Sequence, residues 1–307
     1  MKKYLIIFFA IMAVIFSSCS NETTSMEEGI SSIEVEKDTK QESLASLQGQ
    51  IASFNDSICV HPSETRGFFS FFNRLWRVVS ADAVGGLFGN LWGGPVGAIV
   101  GAAACSTYTG ADSFCTRAKV NNSEKWTLKY ELNNNMDNLI PLPADGTSPT
   151  LQDSIGYYHN KAILDLSKKD IKLSINKMPI LLLDEVKKEM PQKVTFTPKD
   201  SIQLNKTYSE FVKNEQNFSG VDIDAYEKHL ISCYPSQSGE INIIFEFLKG
   251  VSSIKAEDET TYIQTILRLI DSSDLSNTIK QNLRNGVIVG NASNKLWQVK
   301  TDVELAN

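Results

Sequence analysis

Three histidines and five cysteines are the side chains of this 307-residue chain best suited to acid–base, nucleophilic or metal chemistry. His229 stands four residues before Cys233 in YEKHLISCY. A helix would put both on one face, a spacing that suits the beginning of a metal site or a Cys–His pair. No further ligand or base can be assigned beside them, so packing roles are expected. His159, in GYYHNK, sits between tyrosines and an amide and reads as a half-buried packing residue. His61 falls in a polar stretch that offers no preorganised surroundings. Cys59, Cys105, Cys115 and Cys233 show no C-x-x-C spacing. Outside the cytoplasm they permit two disulfides in any of three connectivities, or four reduced thiols. The chain contains no H-E-x-x-H, G-x-S-x-G or G-x-x-x-x-G-K-[ST] motif, so no metal, cofactor or catalytic residue is expected. Carboxylates brought together by folding are the enzymatic arrangement that sequence leaves open.

The fifth cysteine, Cys19, ends a different pattern. Lys2 and Lys3 precede an apolar run of thirteen residues, 4–16, followed by Ser17 and Ser18. This is the anatomy of a cleaved secretory signal, and the run is too short for a membrane-spanning helix. Small residues directly before Cys19 resemble the lipobox of bacterial lipoproteins, with Phe16 standing where leucine is usual. The resemblance implies a signal peptide over 1–18 and a diacylglycerol thioether on Cys19, which would become the mature N-terminus. Membrane lipid would then be the first partner. Ser20 stands where aspartate commonly retains such proteins in the inner membrane, so the resemblance implies the outer membrane or cell surface of a Gram-negative cell. Losing Lys2 and Lys3 moves the formal charge from -6 to -8, which argues against nucleic acid as a partner. The tripeptide DSI, at Asp56, Asp153 and Asp200, resembles a short O-glycosylation acceptor of some Gram-negative anaerobes. Helix capping accounts equally well for the latter two.

The elements that would position these groups divide the chain into five stretches. After the signal, residues 19–62 are rich in Ser, Thr and Glu and are expected to form an acidic flexible tether, about 35 Å in root-mean-square span. Leu44, Leu47, Ile51 and Phe54 keep helical spacing within it. In residues 63–110, Phe68, Phe69, Phe72, Leu75, Trp76 and Val79 share one helical face, with Arg74 and Arg77 opposite. That describes an interfacial membrane helix or a helix packed on a soluble core. Residues 111–150 read as an irregular linker with one short strand at KWTLKYEL. Residues 151–307 read as an all-α domain of six or seven helices. Its stops are assigned to Gly220, Gly250 and Gly286, and a cap to TPKD at 197–200. The fold expected is mainly α.

Within 63–110, Gly85, Gly89, Gly93, Gly97 and Gly101 recur at every fourth residue. Five glycines in helix interiors cost about 4–5 kcal/mol relative to alanine, so the return must come from a backbone approaching where a side chain would block it. The ladder resembles the glycine zippers of outer-membrane lipoproteins and membrane-active peptides. Gly93-Gly94-Pro95 at its centre makes a hairpin of two half-helices the alternative to one straight span. The expected function is a lipid-anchored, non-enzymatic surface protein that uses the ladder for membrane association, self-assembly or close helix packing. A homo-oligomer or partner helix is implied by the groove. The alternatives are a membrane-active antibacterial effector and an enzyme housed in the helical domain.

Overall fold

The computed structural model describes residues 26–58, 69–120, 123–128, 132–141, 148–168, 172–173, 178–190, 196–218 and 222–297. The fold is mainly α. Helices α1 (Met26–Ile58) and α2 (Phe69–Phe114) are followed by strands β1 (Cys115–Val120) and β2 (Ser123–Leu128). Then come α3 (Ile155–Ser167), β3 (Lys172–Leu173), α4 (Met178–Glu189), α5 (Pro198–Gln216) and α6 (Ile223–Cys233). The chain closes with α7 (Ser238–Val251), α8 (Glu259–Ser272) and α9 (Asn277–Trp297). The strands form one small antiparallel sheet in the order β1-β2-β3, Cys115 opposite Leu128 and Glu124 opposite Leu173. The linker stretch therefore carries a β-hairpin rather than a single strand.

The chain divides into two compact units, residues 1–41 and 42–307. In the larger unit, the expectation of a flexible tether running to residue 62 is corrected. Residues 42–58 are helical, and Leu44, Leu47 and Ile51 are buried in the core. Three apolar residues on one stripe suffice because the helix also carries Asn55, whose amide donates to the Glu246 carbonyl at 2.9 Å and accepts from the Tyr262 hydroxyl at 2.9 Å. Packing of an amphipathic face stabilises a helix that composition alone would leave as coil.

The segment α2 is two helices meeting at a kink. Gly93 (φ -151°, ψ 23°) and Gly94 (φ 56°, ψ -145°) leave helical geometry. At Gly94 that conformation is closed to residues with a Cβ. Pro95 opens the second arm, where its missing N–H costs nothing. The arms, 69–92 and 95–114, run about 36 and 30 Å at 1.5 Å per residue, longer than the half-helices expected from the ladder alone. Among the described residues no helix is long and apolar enough to cross a membrane. The hairpin is the centre of the unit: α9 is its principal neighbour, and α3, α4, α5 and α7 also pack on it.

One stop read from the sequence is corrected and one falls within a residue of the observed helix end. Gly286 lies inside α9, where a Cβ would press on Ile244 and stand 3.1 Å from the Ala83 carbonyl oxygen. Gly250 lies in the last turn of α7 and would collide with the Tyr262 hydroxyl and Asn55. Both glycines admit a neighbour; Gly286 does not end a helix, whereas Gly250 stands one residue before the end of α7 at Val251. Gly220 lies outside the described residues. The cap at TPKD forms as expected: Thr197 and Asp200 make a reciprocal capping box before α5, with Pro198 in the first turn.

Candidate functional site

The glycine ladder finds its partner backbone within the same molecule. A Cβ on Gly85 would lie 2.9 Å from the Ala102 Cα and 3.0 Å from the Gly101 oxygen. One on Gly89 would run into the Gly97 carbonyl and sit 2.9 Å from the Ala98 Cα. Gly101 returns the contact, 2.9 Å from the Gly85 oxygen. Gly93 departs from the expected set, since it forms the kink and faces the Phe196 ring. The hairpin thus interlocks Gly85 and Gly89 with Gly97 and Gly101. A second small-residue contact, not read from the sequence, lies against α9. There a Cβ on Gly86 would approach Val289 at 3.2 Å, and one on Gly290 would approach Ala83 at 3.2 Å.

Four elements meet behind this hairpin in a fully buried polar cluster. Asp82 comes from the first arm, Ser106 from the second, His159 from α3, and Ser293 and Trp297 from α9. The Ser106 and Ser293 hydroxyls each donate to Asp82 Oδ2 at 2.6 Å, and Trp297 Nε1 donates to Ser106 Oγ at 3.0 Å. His159 Nε2 stands 3.5 Å from the same carboxylate oxygen. Asn160 fixes the histidine: its Nδ2 donates to the Ala292 carbonyl at 2.8 Å, which leaves Oδ1 to accept from His159 Nδ1 at 2.9 Å. The remaining ring nitrogen faces Asp82 without a hydrogen bond to it, and Asp82 Oδ1 likewise has no hydrogen-bond partner. Burial pushes the Asp82 carboxyl up, against the lowering effect of His159 and the two serines.

These residue types are those of hydrolytic triads, but the arrangement differs. Nucleophilic catalysis needs the imidazole between serine and acid, beside room for a substrate. Here both serines spend their protons on the carboxylate, and neither of the two cavities described below is lined by any of the five residues. The cluster is a clamp that ties both hairpin arms to α3 and α9. Sequence reading placed His159 correctly on a helix but described it as half-buried; it is fully buried. It missed Asp82, Ser106 and Ser293. The available signal was Asp82 itself, a charged residue inside an apolar run.

The aromatic face expected at the membrane surface is partly accounted for. Phe68 and the side chains of Phe69 and Phe72 lie outside the described residues. Trp76 is buried within the unit, as are Leu75 and Val79. Arg77 is about one-fifth exposed and paired: its Nε and Nη2 donate to Glu215 Oε2 at 3.2 and 2.9 Å, and its guanidinium lies 5.5 Å over the Phe218 ring. The Tyr226 hydroxyl donates to the other Glu215 oxygen at 2.8 Å. For Trp76 the interfacial reading is therefore corrected to core packing.

His229 and Cys233 do share a helix face, with Sγ 3.8 Å from Nε2. Burial raises the Cys233 thiol, and the His229 ring packs on Phe218 at 5.0 Å, so the pair is a packing contact without an activated thiolate. Among the described residues no three His, Cys, Asp or Glu side chains are grouped to hold a metal. Cys105 and Cys233 are free thiols, which corrects any disulfide between them; Cys59 and the Cys115 side chain lie outside the described residues, as does Cys19. Burial also raises the Cys105 thiol. Alkylation without reductant should spare Cys105 in the native protein and modify both Cys105 and Cys233 after unfolding. A cross-linked Cys105–Cys233 peptide in the mass spectrum would contradict this assignment.

Two cavities adjoin these elements. One, of about 30 Å³, lies between the hairpin and α5, walled by Gly85, Gly89, Gly101, Cys105, Phe211 and the unpartnered hydroxyl of Tyr208. The other, of about 80 Å³, lies between the loop 132–141, α8 and α9. The chain matches no protein family, no curated protein and no solved structure.

Proposed function

We propose that this chain is a lipid-anchored, non-enzymatic protein of the outer membrane or cell surface, whose glycine-ladder hairpin serves close helix packing inside the anchored body. The observation that carries the packing role is the interlock of Gly85 and Gly89 with Gly97 and Gly101, which occupies the groove with the chain's own backbone. A groove already filled has no edge to offer a second molecule or a lipid-exposed helix. The anchor rests on the lipobox-like Ser17-Ser18-Cys19.

Expression of the full chain in a Gram-negative host with labelled fatty acid tests the anchor. The wild type should incorporate label and enter the detergent phase on Triton X-114 partition. Cys19→Ala should do neither, while keeping the same helical circular dichroism. Unlabelled wild type in the aqueous phase would refute the anchor. Sedimentation in detergent should give a monomer, and a stable oligomer would return the ladder to assembly.

A second reading, a membrane-active effector, is favoured by the hairpin's apolar arms being enclosed by the surrounding helices. It requires the hairpin to leave α9 and open onto a bilayer. Dye release from anionic liposomes by the intact chain would support this reading in place of the packing role.

A further inference from the structure

The tripeptide DSI occurs three times, and the fold puts the three copies to different uses. Asp153 is buried, accepts from the Thr150 N–H and hydroxyl at 2.8 and 2.7 Å, and pairs with Arg284 at 3.0 Å. Ile155, in the same tripeptide, lies fully in the core. Asp200 accepts from the Thr197 N–H and hydroxyl at 2.9 and 2.7 Å, in the capping box of α5. Both acids brace the entry to a helix, and drawing either tripeptide out would undo that bracing.

Asp56, Ser57 and Ile58 stand at the opposite end of a helix, the C-terminus of α1. No N-terminal cap is needed there, and a carboxylate in the last turn is unfavourable beside the negative end of the helix dipole. Capping therefore accounts for two copies and leaves this one without a structural task. All three residues are exposed, and the last buried side chain of α1 is Asn55. The Ser57 hydroxyl donates to the Phe54 carbonyl of its own helix at 2.6 Å. The last carbonyls of a helix lack intrahelical partners, and helix ends open at little cost. Residues 56–58 can thus unwind into an extended strip without drawing a side chain from the core.

We propose that Ser57 is an O-glycosylation site, read by a glycosyltransferase of the cell envelope through the exposed carboxylate, hydroxyl and apolar side chain of residues 56–58. The Ser57 Oγ attacks the anomeric carbon of a lipid-linked glycosyl diphosphate. A carbon–oxygen bond to serine forms as the bond to the diphosphate oxygen breaks. The diphosphate leaves with the electron pair, and the hydroxyl proton passes to a base of the transferase. Ser154 and Ser201 stay unmodified because their tripeptides are committed to the fold. The proposal rests on the reading of the chain as an exported, lipid-anchored protein, which brings it to the envelope.

Production of the full chain in a Gram-negative anaerobe that glycosylates its exported proteins, grown with labelled fatty acid, tests both. Tryptic cleavage after Lys40 and Arg66 isolates the peptide 41–66. In the wild type it should carry a saccharide mass, placed on Ser57 by fragmentation that preserves the glycosidic bond. Ser57→Ala and Asp56→Asn, both at exposed positions, should lose that mass completely with unchanged circular dichroism. Ser154→Ala and Ser201→Ala should keep it. An unmodified peptide from a lipid-labelled chain overturns this proposal alone. A saccharide on a chain without lipid label overturns the anchor alone, and absence of both overturns both. The proposal also fails if Ser57→Ala or Asp56→Asn retains the saccharide, or if Ser201→Ala loses it.

Discussion

Gly89→Ala is expected to destabilise the protein by at least about 2 kcal/mol, although alanine is the better helix former by about 0.8–1 kcal/mol. The reason is the partner atom. The added Cβ would meet the Gly97 carbonyl, a backbone group that cannot swing aside as the end of a long side chain would. Relief requires the two arms to separate, which opens the packing of Ala98 and Ala102 against the first arm. Gly89→Leu should leave no folded monomer. Gly49, on the exposed side of α1 with nothing within 4 Å of its Cβ position, supplies the control. Gly49→Ala should stabilise by about 0.5–1 kcal/mol, as helix propensity alone dictates. Urea unfolding followed by circular dichroism measures all three. A Gly89→Ala protein as stable as the wild type would mean that the hairpin is not closed as described.

The second large effect lies at Asp82. Asp82→Ala removes the acceptor shared by Ser106, Ser293 and His159, stranding buried polar groups that have no water to turn to. A loss of about 3–5 kcal/mol is expected, the range for breaking one side of a buried charged network. Asp82→Asn keeps an acceptor oxygen for the serines and should cost less. It also changes the pH dependence, whose sign follows from burial. Desolvation raises the Asp82 carboxyl above its unfolded value, so the native state holds this proton more tightly than the unfolded chain. Its contribution to stability is complete below the ordinary carboxylate range, near pH 3.9, and is lost as pH rises through the raised native value. Wild type minus Asp82→Asn should therefore decline as pH increases from about 4 toward neutrality. Parallel profiles for the two proteins would remove Asp82 as the linked group.

Much of the helical organisation was legible because it is written locally. The 3.6-residue stripe of α3 and the Thr197–Asp200 cap of α5 concern residues within one or two turns of each other. The ladder was legible as a demand for a backbone, and Pro95 correctly raised the hairpin, but spacing could not reveal that Gly93 serves the kink. Gly286 was misread because a glycine that ends a helix and one that admits a neighbour look alike in sequence. Only the fold brings Ala83 beside it, and Tyr262 beside Gly250 at the end of α7. The clamp was invisible for the same reason: Ser106 and Ser293 lie 24 and 211 positions from the carboxylate they share. The helix over 42–58 showed its helical spacing at Leu44, Leu47 and Ile51, but what stabilises it, the Asn55 hydrogen bonds and the burial of those three side chains, comes from distant elements.

The hairpin's dependence on α9 also dictates an order of assembly. Synthesis yields the two apolar arms early and their principal cover last, because α9 ends only at Trp297. Closing that contact spans most of the chain, a long-range step that folds slowly because loop-closure entropy is lost before any contact repays it. During that interval the arms can zip to each other through their glycines, shielding backbone from backbone, while Asp82 waits for Ser293. Until α9 arrives, the side of the hairpin that α9 covers in the folded protein is left without its principal cover. A chain truncated before residue 277 should remain in that state and aggregate, which makes the last helix the step that commits the protein to its native form.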